Sequence, residues 1–314
     1  MTDLLTLRTA IGSYPHTAAV KAGQIASDRV ALQHVEVDPI NRAFRRMIRD
    51  AEFELSEMAI TTHAIAHSFD KPYVALPIVV FRGFPHASIA CRDDGSIRGP
   101  KDLEGRKIGV RAYSQTTGAW VRGVLASDYG VELDRLGWVV QEGSHVAEYV
   151  DPPNVELTSP DRSLEALLEA REVDAIVAVN AAHVPGLQPV IPDPDAAAIA
   201  WFKRTGVYPI NHLLVIRRDI AAANPWLAAE VTRIFMEAKN QTLRRLSRQG
   251  ASTLAEKALV RQMATIGADP LPYDLNANRP AVEMLTRFAF EQRLTPRKCS
   301  VEELFDPASL TPAS

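Results

Sequence analysis

Residues 55–68 read LSEMAITTHAIAHS, and this stretch decides the fold class. Residues 55–60 have the length of a strand, and four of the six are apolar. Residues 62–68 are predicted to form a helix. A strand followed at once by a helix is the repeating unit of an α/β protein. The stretch therefore predicts an α/β fold with mainly parallel sheets.

The same alternation extends in both directions from this stretch. On these patterns we predict further strands at 5–11, 31–37, 75–81, 87–91, 108–110, 175–179 and 213–216. We predict further helices at 16–26, 41–51, 163–170, 225–249 and 254–266, and another that follows the polar loop 111–117 and stops at Gly130. The rhythm restarts near residue 100, which indicates two α/β lobes, and the proline-rich stretch Pro185–Pro194 is typical of a surface loop.

Composition excludes several classes of protein. The chain has 314 residues, 35 of them Lys or Arg and 38 Asp or Glu, giving a net charge of −3. This mild acidity argues against a nucleic-acid partner and against a polybasic membrane-surface protein. The first residues show no secretory signal pattern and no apolar stretch approaches a membrane span, so we expect a cytoplasmic protein. Cys91 and Cys299 have no metal-ligand spacing, and we expect two reduced thiols, with a disulfide left as the alternative.

Several short motifs occur in order along nearly the whole chain, and each is weak by itself. They are Phe44-Arg-Arg-Met47, Glu52-Phe-Glu-Leu-Ser-Glu-Met58, Arg82-Gly-Phe-Pro-His86, Gly118-Ala-Trp-Val-Arg-Gly-Val-Leu125, Asp128-Tyr-Gly130, Tyr208-Pro-Ile-Asn-His212, Pro272-Tyr273, Asn278-Arg279 and Glu303-Leu-Phe305. Together they resemble the 4,5-dihydroxyphthalate decarboxylase family. The resemblance implies an α/β, two-lobed periplasmic-binding-protein-like II fold with the ligand cleft between the lobes. It also implies a discontinuous first lobe, 1–88 plus 213–314, and an inserted second lobe, 89–212.

Direct loss of CO2 from an aromatic acid leaves an unstabilised ring carbanion, so we expect the ring carbon to be protonated first. Histidine suits the proton donor because its pKa lies near neutral pH. The family pattern points to His86 and His212 as catalytic residues, and to Glu57 as a group that polarises a phenol or orients a histidine. The alternatives are a structural role for His86, hinge packing for His212 and capping of the following helix for Glu57.

The loops that follow the predicted strands supply the substrate-binding candidates. Arginine matches a carboxylate with two parallel hydrogen bonds, and a helix start with free backbone N–H groups favours an anion. The expected substrate-binding residues are Tyr14, His16, Thr61, Thr62, Arg82, Arg111, Ser114, Gln115, Thr116 and Thr117. The alternatives are a solvent-facing His16 and simple helix capping by Ser114 or Thr116.

Other constellations carry less weight. His63 and His67 have the i, i+4 spacing of a metal pair but lack the intervening carboxylate of a metalloprotease, so we predict no metal site. Arg42, Arg45 and Arg49 share one helix face and indicate a solvated surface. No nucleotide-binding glycine motif or serine-hydrolase motif occurs, and we predict no cofactor.

Two functions fit these residues. The first is cofactor-independent decarboxylation of a hydroxylated aromatic acid resembling 4,5-dihydroxyphthalate, by ring-carbon protonation and loss of CO2. The alternative is a solute-binding protein that holds a small carboxylate without converting it, as in the substrate-binding components of ABC transporters. In both cases the partner is a small aromatic carboxylate rather than nucleic acid or a membrane. A homo-oligomer is left open.

Overall fold

The computed structural model describes residues 4–178 and 180–307, and it shows an α/β protein. The described strands are β1 (Leu5–Ala10), β2 (Val30–His34), β3 (Leu55–Ala59), β4 (Tyr73–Arg82), β5 (Ile89–Arg92), β6 (Lys107–Val110), β7 (Gly137–Val140), β8 (Val155–Leu157), β9 (Ala175–Val177), β10 (Leu187–Pro189) and β11 (Ile210–Arg217). The described helices are α1 (Ala18–Lys21), α2 (Asn41–Asp50), α3 (Ile60–Ser68), α4 (Thr116–Tyr129), α5 (Leu164–Glu169), α6 (Pro194–Thr205), α7 (Arg218–Ala223), α8 (Leu227–Gln249), α9 (Leu254–Ile266), α10 (Leu275–Glu291) and α11 (Val301–Leu304).

The chain divides into two compact units. Among the described residues, the first comprises 4–82, 212–282 and 300–307. The second comprises Gly83–Asn211 and Glu283–Cys299. The predicted lobes change at other positions, 88/89 and 212/213, and they leave 283–299 in the first lobe.

The first unit is built on a five-stranded sheet in the order β2-β1-β3-β11-β4. Strand β1 is parallel to both β2 and β3, whereas β11 runs antiparallel to β3 with His212 opposite Ala59. The carboxyl ends of β1 and β3 therefore meet at one edge of the sheet, together with the start of β11. Ligand sites of open α/β sheets form at such an edge.

Helix α2 illustrates how a helix of the first unit buries its apolar face. Phe44, Met47 and Ile48 are buried on one face of α2, while Arg42 and Arg49 on the other face are exposed. Each fully buried side chain of this size contributes about 1.5–3 kcal/mol relative to an exposed one. The solvated arginine face predicted from the spacing is present at these two positions.

The second unit has a six-stranded sheet in the order β10-β5-β9-β6-β7-β8. Strand β6 is parallel to β7 and β9, and β7 is parallel to β8. Strand β5 is antiparallel to β9 and to β10. Trp120 of α4 is buried against the ring of Phe288 in α10, with the ring centroids 5.8 Å apart.

The packing around α4 explains the boundaries of the second unit. The side chain of Gln292 accepts a hydrogen bond from Arg122 Nε at 2.7 Å and donates one to the carbonyl of Ala119 at 2.9 Å. Trp120 Nε1 donates to the carbonyl of Ile210 at 2.8 Å. Residues 283–299 and the start of β11 therefore belong with the second unit, because their partners are on α4.

Other differences from the sequence prediction lie in short or proline-containing elements. The stretch expected to be a surface loop contains β10, and α6 begins within it at Pro194. Proline is compatible with a first helical turn, where its missing N–H has no partner to lose, and the Asp193 side chain caps this helix. Strands β7 and β8 and helix α10 were not predicted, and the last residue of the predicted strand 175–179 lies outside the described residues.

Cys91 and Cys299 are both buried, and they form no disulfide with each other. Among residues 4–178 and 180–307, no helix combines the length and the apolar character needed to cross a membrane.

Candidate active site

The candidate active site of the first unit lies at the edge of its sheet where β1 and β3 end. The loop after β1 carries Gly12, Tyr14 and His16. Glu57 is the middle residue of β3, and His212 lies near the start of β11. Because β1 and β3 are parallel neighbours and β11 pairs with β3, three separate parts of the chain meet here.

The carboxylate of Glu57 is the centre of this cluster and has no exposed surface. Its Oε2 accepts a hydrogen bond from the Gly12 N–H at 2.8 Å. Its Oε1 lies 2.6 Å from the Tyr14 hydroxyl and 2.6 Å from His212 Nδ1. Glu57 does not cap the following helix, because the N-cap of α3 is Ala59 and no side chain caps it. Three donors around one carboxylate suit its ionised form.

Glycine is required at position 12 by the close approach of these groups. A Cβ atom at Gly12 would lie 2.8 Å from the Tyr14 ring and 3.0 Å from Glu57 Oε2. Any side chain there would displace the ring or the carboxylate. The Gly12 N–H can therefore reach Glu57 only because the residue has no side chain.

His212 is oriented by its bond to Glu57 and by two aromatic rings. Its centroid lies 5.0 Å from that of Phe44 and 5.2 Å from that of Phe81. The bond to the carboxylate assigns a hydrogen to Nδ1, and no described residue hydrogen-bonds Nε2. The side chain of His212 retains 18% of its surface exposed, so Nε2 is the ring nitrogen left to exchange a proton with a ligand.

Tyr14 stays protonated in this environment. Burial raises the pKa of the Tyr14 phenol far above its ordinary value, and the charge and the hydrogen bond of Glu57 raise it further. The phenol therefore acts as a fixed hydrogen-bond donor to the carboxylate. It is not a group that titrates near neutral pH.

His16 is buried beside Tyr14 rather than facing solvent. The two rings are stacked, with centroids 5.4 Å apart and planes 15° from parallel. Burial lowers the pKa of His16 to about 4, while the charge of Glu57 and a hydrogen bond to the Val80 backbone act in the opposite direction. His16 is therefore neutral near pH 7. Within the described part of the chain, its Nε2 has no hydrogen-bond partner.

The remaining candidates of the first unit are Arg82, Thr61 and Thr62. Arg82 lies at the end of β4 and donates to Asn278 Oδ1 at 3.0 Å. Thr61 and Thr62 lie in the first turn of α3 and are buried. All three residues lie near the ends of β3 and β4.

The second unit contains the other sequence candidates. His86 is buried between the rings of Phe84 and Trp201, with centroid distances of 6.2 and 5.7 Å. Burial lowers the pKa of His86 to about 4, and the charge of Asp128 opposes this shift. Its Nδ1 has no hydrogen-bond partner among the described residues. His86 is therefore a neutral imidazole near pH 7 and, unlike His212, is not bonded to a carboxylate.

The helix start at α4 differs in detail from the predicted anion site. Arg111 forms an ion pair with Glu142, and the carboxylate of Glu142 balances the charge of the guanidinium group. Gln115 is the N-cap of α4 without a side-chain capping bond, so neither Ser114 nor Thr116 takes that position. Ser114, Thr116 and Thr117 are buried, and the Thr117 hydroxyl oxygen accepts a hydrogen bond from Asn211 at 3.2 Å.

No metal site is formed by the residues that the structure describes. None of their His, Cys, Asp and Glu side chains come together in groups of three or more able to hold an ion. His63, one of the pair with metal-like spacing, instead hydrogen-bonds the carbonyl of Leu304 through Nε2 at 2.7 Å.

The sequence analysis missed Gly12, Phe44 and Phe81 as parts of the site. Phe44 lies in one of the family-like motifs, and Gly12 lies in the turn before Tyr14, so both carried a signal. Their contacts with Glu57 and His212 depend on how distant strands pair, which local patterns do not encode.

No family model matches the chain. It is 29% identical to a 4,5-dihydroxyphthalate decarboxylase of Comamonas testosteroni, and the match covers 98% of each chain. It is 28% identical to a 4,5-dihydroxyphthalate decarboxylase of Pseudomonas putida, with 63% of this chain and 82% of that protein covered.

Solved structures with the same architecture include binding proteins and an enzyme. The aliphatic sulphonate binding protein SsuA of Escherichia coli matches with a TM-score of 0.58 at 13% identity, covering 96% of this chain and 98% of SsuA. The ligand-binding component of an ABC-type import system of Staphylococcus aureus matches with a TM-score of 0.60 at 10% identity, covering 99% of both chains. The desulfurization enzyme DszB matches with a TM-score of 0.54 at 14% identity, covering 98% of this chain and 97% of DszB. The resemblance indicated by the motifs is therefore confirmed: the chain has the fold of the periplasmic binding proteins and is similar over nearly its whole length to a 4,5-dihydroxyphthalate decarboxylase.

Proposed function

We propose that this protein decarboxylates a hydroxylated aromatic carboxylic acid, with 4,5-dihydroxyphthalate as the first substrate to test. The observation that carries the proposal is the hydrogen bond between buried Glu57 and His212 Nδ1, which leaves Nε2 to deliver a proton. The similarity to two proteins named for this reaction supports the choice of substrate class.

The reaction requires a proton on the ring carbon before CO2 leaves. In 4,5-dihydroxyphthalate each carboxylate-bearing carbon lies para to a hydroxyl group, whose oxygen can supply electrons to that carbon. A proton moves from the donor to this carbon and forms the new C–H bond. The bond to the carboxylate then breaks, CO2 departs, and the electron pair restores the aromatic ring. The products are 3,4-dihydroxybenzoate and CO2, and the donor regains a proton from water.

His212 is the proton donor in this proposal. Glu57 accepts the hydrogen of Nδ1 and fixes the orientation of the ring, so Nε2 is the nitrogen that exchanges a proton with the ligand. Tyr14 and the Gly12 N–H hold the carboxylate in place. Glu57, Tyr14 and Gly12 thus position the imidazole, while His212 handles the proton.

The other expected residues keep their proposed roles as ligand contacts. In the first unit, Arg82 matches the family pattern, and Thr61 and Thr62 follow Glu57 in the same segment of the chain. In the second unit, Arg111 and the residues 114–117 are proposed because a helix start favours an anion, and His86 matches the family pattern as a further catalytic candidate. His86→Gln separates a catalytic from a structural role for His86, because only the first lowers turnover without lowering stability.

The direct test is incubation of the purified protein with 4,5-dihydroxyphthalate, with release of CO2 and formation of 3,4-dihydroxybenzoate as the readout. We expect His212→Asn to lower kcat by about 10²-fold or more, since general acid catalysis contributes that much. His183→Asn is the matched control because His183 is exposed on the second unit. A folded wild-type protein that converts none of a panel of hydroxylated aromatic acids would contradict the proposal.

A solute-binding role is the second candidate, because two of the structural matches are binding proteins for small ligands. In that case the ligand would bind and be recovered unchanged. Chromatography of the ligand recovered after equilibrium binding distinguishes the two functions.

A further inference from the structure

The imidazole of His16 is a buried group whose hydrogen bonding is incomplete. The residue is 4% exposed, and Nε2 has no partner among the described residues. A buried polar atom without a hydrogen-bond partner is unfavourable, and each such atom in a native protein calls for a physical explanation. A ligand atom that completes the hydrogen bonding is one such reason.

The hydrogen bonds of His16 determine which nitrogen carries the hydrogen. His16 is bonded to the backbone of Val80, and this bond favours the protonated ring, so the ring donates to the Val80 carbonyl. Because Nε2 has no partner, Nδ1 is the donor. A neutral imidazole has one hydrogen, so Nε2 presents a lone pair and can only accept.

His16 also belongs to the Glu57 cluster by position. Its ring stacks on Tyr14, whose hydroxyl donates to the same Glu57 oxygen that His212 contacts. The charges that act on His16 are those of Glu57, Lys239 and Asp269, all in the first unit. His212 and His16 thus both contact one Tyr14–Glu57 pair, His212 through the Glu57 carboxylate and His16 through the Tyr14 ring.

We propose that His16 Nε2 accepts the hydrogen of an aromatic hydroxyl group of the ligand and takes up its proton as the ring carbon is protonated. This inference rests on the proposed function for its second step, whereas the hydrogen bond itself requires only binding. It names the chemical feature that the first unit recognises: a ring hydroxyl, rather than a carboxylate, at His16.

The protons and electrons are conserved in the proposed decarboxylation step. The hydroxyl O–H bond breaks and its proton moves to Nε2, while the oxygen electrons move into the ring and the para carbon takes a proton from His212. When CO2 leaves, the electron pair of the broken C–C bond regenerates a phenolate, which recovers the proton from His16.

The weak basicity of His16 suits this step. A ring-protonated phenol is a protonated carbonyl compound and is far more acidic than the phenol itself. A base with a pKa of about 4 can therefore accept its proton, and it remains unprotonated near pH 7 until then. A histidine with an ordinary pKa would be partly protonated and unable to accept.

The test compares binding of 3,4-dihydroxybenzoate and of benzoate by calorimetry, which needs no turnover. In the wild type we expect a preference for the hydroxylated ligand. In His16→Phe, which keeps a ring against Tyr14 but has no lone pair, we expect that preference to fall about tenfold while benzoate affinity is retained. His16→Gln, which restores an acceptor, should recover part of the preference, and His183→Phe at an exposed position is the control.

A second measurement uses the unaltered protein, in case the variants do not fold. In protein with ¹⁵N-labelled histidine, the resonance of the unprotonated His16 Nε2 should move on addition of 3,4-dihydroxybenzoate and stay unchanged with benzoate. An unchanged resonance with both ligands, or an unchanged hydroxyl preference in a folded His16→Phe, would overturn the proposal and leave Nε2 bonded to an ordered water. Absence of decarboxylation with the hydroxyl preference intact would instead reject the proposed function alone.

Discussion

Glu57 shows how strongly this site depends on single hydrogen bonds. Moving a carboxylate out of water costs several kcal/mol, and hydrogen bonds to a charged group return about 1.5–3 kcal/mol each. Glu57 has no exposed surface and three donors, so its charge is stable only while those donors remain in place. Substitution of Gly12, Tyr14 or Glu57 should therefore change the orientation of the His212 ring.

Glu57→Gln should lower the rate of decarboxylation by about 10²-fold or more, because His212 loses the carboxylate that orients its ring for proton transfer. The introduced amide also carries N–H groups, which would face the hydrogen-bond donors of Gly12, Tyr14 and His212. This mismatch should lower the free energy of unfolding by about 1–3 kcal/mol. Steady-state kinetics and urea unfolding measure the two effects. Glu36→Gln is the control, since Glu36 pairs with Lys21 at the surface. Full activity in a folded Glu57→Gln protein would exclude the proposed role of the carboxylate.

Tyr14→Phe should have a milder effect, a fall in kcat of about tenfold, because one of three donors is lost while the ring keeps its packing. The pKa of the Tyr14 phenol is raised by burial and by Glu57, so the group holds its proton through any ordinary alkaline assay. We therefore expect the alkaline limb of the pH–rate profile to be the same in wild type and Tyr14→Phe. A limb that disappears in the variant would show that Tyr14 titrates during the reaction.

At the scale of single residues, the sequence predicts which residues belong to the site but not which residues they contact. Glu57, His212 and Tyr14 follow from motifs and from loops at strand ends. Their meeting depends on the register that sets Leu214 opposite Glu57 and so places His212 beside its carboxylate. Arg111 illustrates the converse, since Glu142 is 31 residues away along the chain and local patterns cannot show that the two form an ion pair.

At the scale of elements, the contact between α4 and α10 is the most sensitive packing. A Cβ atom at Gly123 would fall on the ring of Phe288. Gly123→Ala should gain about 1 kcal/mol of helix propensity and lose more to overpacking, for a net loss of about 1–3 kcal/mol in the free energy of unfolding. Urea unfolding followed by circular dichroism gives this value.

Gly118→Ala provides the matched control within the same helix. A Cβ atom there would lie 3.3 Å from the Arg122 guanidinium and 3.5 Å from Val110, which is tight but close to ordinary contact. We expect its free energy of unfolding to change by less than about 1 kcal/mol. Phe288→Leu combined with Gly123→Ala should restore part of the lost stability. Equal effects of the two glycine changes would exclude the steric explanation.

Elements with a strong local signal are those that the sequence predicts well. Helices α2 and α9 have polar and apolar faces, and their predicted limits of 41–51 and 254–266 match the structure to within one residue. Strands β7 and β8 have four and three residues and are not predicted, although β6 and β9, which are equally short, are predicted. Helix α6 is not predicted because the prolines of this stretch indicate a loop, whereas Pro194 begins the helix.

At the scale of the molecule, the order of the motifs predicts the fold, whereas the division of the chain depends on contacts distant in sequence. Residues 283–299 follow the first-lobe helices along the chain, and nothing local separates them. They belong to the second unit because Gln292 and Phe288 pack on α4, about 170 residues earlier.

The buried histidines make the stability of both units sensitive to acid. Burial lowers the pKa of His16, His63 and His86 to about 4 in each case, against about 6.5 in an unfolded chain. Between these two values the unfolded chain binds a proton that the folded protein does not. The contribution of each neutral histidine to the free energy of unfolding is therefore fully present above about pH 6.5. It is lost as the pH falls toward 4, by on the order of 3 kcal/mol for each histidine.

Urea unfolding at about pH 7 and pH 5 should therefore give a clearly lower free energy of unfolding at the lower pH. In His63→Gln we expect a smaller difference between the two pH values, because the amide can still donate to the Leu304 carbonyl but does not titrate. His183→Gln, at an exposed position, should keep the wild-type difference. If His63→Gln and His183→Gln show the same dependence on pH, His63 is not held neutral in the folded protein, and the acid sensitivity has another source.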